Sequence, residues 1–374
     1  MKTMKNISKC LAAILLVVNL SSCVDLEPEP LSFFAPENTF MDKEGLEALL
    51  ITSRKQIKWE WFGDAFNAGY CETPLVYEYA WSDVSVMGAP EVKEIHNLET
   101  QLTPTTSMAL HLRYWDLAWN GIKYANTVIS RVPKSTIDNE TDKNELLAEG
   151  YFHRAYWYYL LVNQWGDVPL LLEEITEPKL DFYTVSRMKI LQQMKTDMEF
   201  AVKWLPKNVK PGCVNRAAGE HLLAKIYLST GDFQLAVDAT TRCINDYGLH
   251  LMKERFGVNA EDASLDVFND LFQEDNISSS ENKEAIFVVQ ERYGIEGNVA
   301  PNGSARMRNF VPYWCNGAAV KTPDGKPGTT YDAGPYDGYE WVEKLGRGIA
   351  KIRPTNYSQY AISVSYTHLT LPTN

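Results

Sequence analysis

One spacing constrains this chain more than any other. Counted from Leu223, residues Ala224, Tyr227, Gly231, Phe233 and Ala236 follow at 1, 4, 8, 10 and 13 positions. That is the tetratricopeptide pattern: a leucine with a small residue, a tyrosine, a turn glycine, an aromatic, then an alanine. Ala224 and Ala236 let two antiparallel helices approach closely, and Gly231 turns the chain between them. Tyr227 and Phe233 are expected to fill the wedge beside the alanines. Such a unit cannot bury its apolar face alone, so it predicts further helix pairs alongside.

Those neighbours are legible upstream. Apolar periodicity predicts helices over about 44–61, 107–132, 143–165 and 186–205. Breaks stand at Pro133, at Gly166-Asp167-Val168-Pro169 and at Pro206. Leu112, Trp115, Trp119, Ile122 and Ala125 lie three or four apart, which places them on one expected core face. The reading is mainly α: a tetratricopeptide-like helical domain over 44–255, with a loop insertion at 62–106. A hydrophobic content of 45% supports a sizeable core and argues against wholesale disorder.

The start of the chain reads as a lipoprotein signal. Lys2, Lys5 and Lys9 form a basic region, and 11–18 is an apolar run. That run is far shorter than the ~20 residues of a spanning helix. Leu20-Ser21-Ser22-Cys23 resembles a bacterial lipobox, which would make 1–22 a signal peptide and Cys23 a lipidated N-terminus. Residues 23–43 are then a tether and an extended segment, opening on the acidic, proline-rich stretch 24–30. At the other end, Val364 to Thr373 resembles the translation of a transposase adapter used in sequencing libraries. Residues 364–374 are therefore expected to be foreign to the natural protein, whose own sequence would continue past Ser363.

Charge excludes one class of partner. The chain carries −12, and removing 1–22, which holds three lysines and no acid, leaves about −15. An acidic body is unsuited to nucleic acid, which needs clustered Lys and Arg. Six cysteines do not make a disulfide framework. Cys10 lies in the signal and Cys23 would be lipidated. Cys71, Cys213, Cys243 and Cys315 are widely spaced, and Cys243 reads as a small core residue. No CxxC or paired Cys/His spacing suggests zinc, so neither metal nor cofactor is expected.

A longer signature then stands out. Glu149-Gly150-Tyr151-Phe152-His153-Arg154-Ala155-Tyr156-Trp157-Tyr158-Tyr159 is followed by Trp165-Gly166-Asp167-Val168-Pro169-Leu170. It resembles the central signature of the SusD/RagB family. Asn215-Arg216-Ala217-Ala218 leads into the repeat in the same way. Asn282-Lys283-Glu284-Ala285-Ile286-Phe287 is similar as a polar lead into a strand. Pro30-Leu31-Ser32 to Pro36-Glu37-Asn38-Thr39-Phe40 fits as well. The resemblance implies an outer-membrane lipoprotein, exposed at the cell surface, that binds glycan and caps a SusC-like TonB-dependent transporter without catalysis. It also implies a loop-rich ligand-binding part carried by the helical scaffold, here 256–363. The last part of the family's length is expected to be missing. Within the signature, Arg154 with Glu149 is expected to make a partly buried ion pair or a helix contact, and 156–159 to pack between helices.

Sugar rings are held by flat aromatic faces with hydroxyl-binding groups nearby, and loops off a scaffold are where such groups sit. Two stretches qualify, 59–88 and 301–341. Trp81 with Asp83, and Tyr313 and Trp314 with Asn316, are the candidate ligand contacts, since each places a ring beside a polar side chain. Two other functions compete. One is capture of peptide or another nutrient, as in RagB-like complexes. The other is a glycoside hydrolase, which needs two carboxylates about 5 Å or about 6.5–9.5 Å apart. No HExxH, GxSxG or P-loop string appears, and no catalytic residue is assigned.

Overall fold

The computed structural model describes residues 40–62, 79–80, 82–88, 99, 103, 109–291, 295, 321–326 and 352–362. Its elements in chain order begin with α1 (Lys43–Phe62), β1 (Ser85–Met87), α2 (Ala109–Arg131) and a 3-10 turn (Val132–Lys134). They continue with α3 (Glu140–Trp165), β2 (Val168–Pro169), β3 (Thr184–Val185) and α4 (Arg187–Trp204). Then come α5 (Arg216–Thr230), α6 (Phe233–Asn245), a 3-10 turn (Gly257–Asn259), α7 (Val267–Phe272), β4 (Ile352–Pro354) and a π-helical turn (Tyr357–Ile362).

Helix ends are set locally. Asn139 caps α3, its Oδ1 accepting from Thr141 N at 2.8 Å, and Glu140 and Asp142 put negative charge in the first turn. Asn215 caps α5 by accepting from Ala218 N at 2.8 Å. Gly231 closes α5 at φ +82°, a left-handed turn that a side chain would strain. Leu205 ends α4 beside Pro206.

Successive helices pack on one another in order, α1 on α2, α2 on α3, and so on to α6. This is the helix-pair stacking that the repeat spacing predicts, and the fold is mainly α. The main core runs along α2 to α6, with Trp157, Tyr158, Leu161, Ile190, Leu191 and Met194 fully buried. A second cluster, including Leu46, Leu50, Val128 and Leu146, joins α1 to the ends of α2 and α3. Ala224 and Ala236 are buried at the close approach, as is Tyr227. Cys243 is buried too, and burial pushes its thiol up to about 11.

Four expectations fail, each because a partner was distant or a face was misjudged. Arg154 does not pair with Glu149. Its Nε donates to Asp197 Oδ2 at 2.8 Å, while Glu149 takes a two-pronged bond from Arg54 at 2.6 and 2.7 Å. Residues 149 and 154 are five apart on one helix, so they point to different neighbours. Phe233 is 65% exposed, so Tyr227 alone fills the wedge. Leu112 is exposed, because it lies in the first turn of α2. No strand follows the lead at 282–287 in the described residues up to 291. Asn282 Oδ1 accepts from the backbone N–H of Glu284 and Ala285, both at 3.2 Å, and so holds a turn instead of a ladder.

Candidate functional site

Of the sequence-derived site residues, Asp83 alone lies among the described ones; Cys23, Trp81, Tyr313, Trp314 and Asn316 lie outside them. Asp83 is exposed just before β1. β1 pairs antiparallel with β4, in the register Ser85 to Pro354, Val86 to Arg353 and Met87 to Ile352. Met87 and Ile352 are both buried. Thr355 reinforces the junction, its N–H donating to Val84 O at 3.1 Å and its hydroxyl to Asp83 O. Residues 83–87 are thus tied to residues beyond position 350, a link no local signal announces.

An aromatic cleft among the described residues lies elsewhere. It has a volume of about 630 Å³ and opens between α2 and the segment 169–182. Trp115, Trp119 and Ile122 supply one wall, and Ile175 and Phe182 the other. Trp115 and Trp119 are four apart on α2, edge to face with ring centroids 5.4 Å apart. Trp165 backs Trp115 at 5.4 Å, and Tyr158 backs Trp119 at 6.0 Å, again edge to face. Both indoles are only partly buried.

The opposite wall is strapped down from the helices. Tyr158 Oη accepts from Leu171 N at 2.6 Å. Asn126 Nδ2 donates to Leu171 O at 2.9 Å, and Arg154 Nη1 donates to Leu172 O at 2.7 Å. Ser130 Oγ accepts from Glu174 N at 2.9 Å, and Arg131 grips the Glu174 carboxylate at 2.7 and 2.9 Å. Arg154 Nη1 also donates to Asn126 Oδ1 at 3.1 Å, so two of the clamps brace each other. Burial pushes the Tyr158 phenol well up, so it stays protonated and keeps its hydrogen.

A wall fixed by five side chains does not have to be ordered when a ligand arrives. The mouth carries Lys123 and Glu173, both exposed and neither in an ion pair among the described residues. Glu174 is held by Arg131, so this carboxylate pair has one committed member. The arrangement suits binding: an apolar aromatic floor with a free cation and a free anion at the rim. Among the described residues no group of His, Cys, Asp and Glu could hold a metal ion, and no helix is long and apolar enough to cross a membrane. Sequence reasoning assigned Trp115 and Trp119 to the core. Their spacing was the available signal, and it is shared by every core stripe.

Comparison with known proteins points one way. A SusD-like family model described as starch-binding associating with outer membrane matches residues 72–228. A SusD-like protein of Formosa agariphila is 27% identical over 238 residues, covering 62% of this chain and 45% of that protein. A SusD superfamily structure from Bacteroides vulgatus superposes with a TM-score of 0.60 at 17% identity, covering 85% of this chain and 56% of that one. A structure solved with a xylogluco-oligosaccharide gives a TM-score of 0.52 at 20% identity, covering 71% and 49%. The chain therefore spans about half the length of the relatives it matches.

Proposed function

This chain is a SusD/RagB-family protein, and from that premise we propose that it captures oligo- or polysaccharide at the cell surface without cleaving it. On this reading it is held at the outer membrane by lipid on Cys23 and passes its glycan to a SusC-like TonB-dependent transporter. The observation that carries the proposal is the strapped aromatic cleft. A pyranose presents an apolar C–H face, which matches the Trp115, Trp119 and Phe182 rings. Its equatorial hydroxyls match Lys123 and Glu173 at the mouth. The cleft volume falls within the range of small-ligand sites, and its walls are preformed. Trp81 and Asp83, with Tyr313, Trp314 and Asn316, are proposed as a further set of glycan contacts on the loops.

Electrophoresis through gels containing single polysaccharides tests the capture role. The protein should be retarded by at least one glycan, with no new reducing ends released. Phe182→Ala should weaken that retardation severalfold while leaving the melting transition in place, because Phe182 is 43% exposed. Migration unaffected by every glycan would defeat the proposal, and release of reducing ends would defeat its non-catalytic part.

A further inference from the structure

A second cleft, of about 710 Å³, has a different chemistry. Lys207 and Lys210 line it from the α4–α5 connection, Tyr247 from just after α6, and Lys283 and Ser280 from the segment that follows α7. All three lysines are exposed, and none makes an ion pair among the described residues. Among the described residues Asp246 is the only acid on the lining. In a chain of net charge −12, three uncompensated lysines around one concavity are a local inversion of charge. The Lys207 ammonium lies 5.5 Å from the centre of the Tyr247 ring.

The concavity is built, not incidental. Asn215 caps α5 and also donates through Nδ2 to Ile286 O at 2.9 Å, joining two walls. Arg216 N donates to Pro206 O at 2.9 Å, and Arg216 Nε to Leu205 O at 2.6 Å, which fixes the lysine-bearing connection. His250 N donates to Lys283 O at 3.1 Å, holding the backbone beneath the third lysine.

We infer that this cleft receives the anionic group of an acidic saccharide, a uronate or a sulfate ester. The lysines pair with the anion, and the Tyr247 ring takes the adjoining sugar face. The inference rests on the glycan-capture reading and narrows its ligand class. It goes beyond the aromatic cleft, whose mouth carries one charge of each sign and gives no preference for an anion.

The test uses the full 374-residue chain and three labelled oligosaccharides of equal length: neutral, uronate and sulfated. At least one acidic oligosaccharide should bind about tenfold tighter than the neutral one. That advantage should shrink between 0.1 M and 1 M salt, where the screening length falls from about 10 Å to about 3 Å. K207Q/K210Q/K283Q should abolish the advantage, keep neutral-glycan affinity within about twofold and melt cooperatively, while K134Q should change nothing. Which acidic ligand responds identifies the anion. Equal affinity for neutral and acidic ligands would overturn the inference and leave glycan capture standing. So would an advantage that survives the triple variant. Binding of none of the three would overturn both.

Discussion

Arg154 and Asp197 form an ion pair at 2.8 Å with only 3% and 4% of their surfaces exposed, 43 residues apart in the chain. The pair sits where α3, α4 and the 169–174 strap meet. Gln193 Nε2 donates to the second Asp197 oxygen at 3.0 Å, and Arg154 donates onward to Leu172 O and Asn126 Oδ1. Two charges out of water are costly, and here Arg154 Nε and Nη1 and both Asp197 carboxylate oxygens are matched.

Removing one partner should therefore be severe. Arg154→Ala or Asp197→Ala should each cost about 3–5 kcal/mol, because each strands a buried charge. The double variant should lose less than the sum of the two by about 1 kcal/mol or more. Urea unfolding of the four proteins measures this. Additive losses would mean that the two side chains are not coupled.

The Tyr158 hydroxyl should matter to the strap more than to the core. Tyr158→Phe keeps the ring but leaves Leu171 N–H without its acceptor, at a cost of about 1–3 kcal/mol. Hydrogen exchange should accelerate at Leu171 well before it changes in α5. Uniform acceleration across the helices would place the hydroxyl's role in global stability instead.

Gly121 should reject even a methyl group. A Cβ there would collide with the indole of Trp157, which is fully buried. Gly121→Ala should cost about 1–3 kcal/mol by overpacking, with the indole fluorescence shifted as Trp157 is displaced. An unchanged melting temperature would show that the α2–α3 contact has slack.

Acid stability should depend on Glu149. Burial raises its pKa, but His153 and the two-pronged Arg54 bond outweigh this, so the folded value lies below the ordinary 4.5. A lowered folded value means stabilisation that is fully present above pH 4.5 and lost as pH falls through the folded pKa. The stability gap between the parent protein and Glu149→Gln should be flat above about pH 5.5 and narrow below pH 4.5. Chemical denaturation from about pH 3 to pH 7 measures it. A gap independent of pH would remove Glu149 from the acid response.

What was legible in the residues divides by range. Helix limits came within a few positions, because Pro133, Gly166, Pro206 and Gly231 act on their own turns. The α5–α6 hairpin was readable because its alanines and glycine recur at fixed offsets. Partner choice was not readable. Helical spacing argues against Glu149, five residues away, but no local rule picks out Asp197 on the next helix. The candidate site divides similarly. Loop aromatics beside Asp83 were conspicuous by composition. Trp115 and Trp119 looked like any core stripe, since only the strap across from them makes a cleft. The β1–β4 pairing joins positions some 270 residues apart, as the Asp83–Thr355 contact shows, and such a link carries no short-range trace.

The strap has one further consequence, for how such a protein can change. It is fastened mostly through its own backbone, at Leu171, Leu172 and Glu174 N, by side chains that belong to α2 and α3. Glu173, Ile175, Leu180, Phe182 and Tyr183 are exposed and contribute nothing to that fastening. Mutations at those five positions can alter what the surface prefers while the framework beneath keeps its free energy. Ligand preference can therefore drift one substitution at a time, through intermediates that all fold.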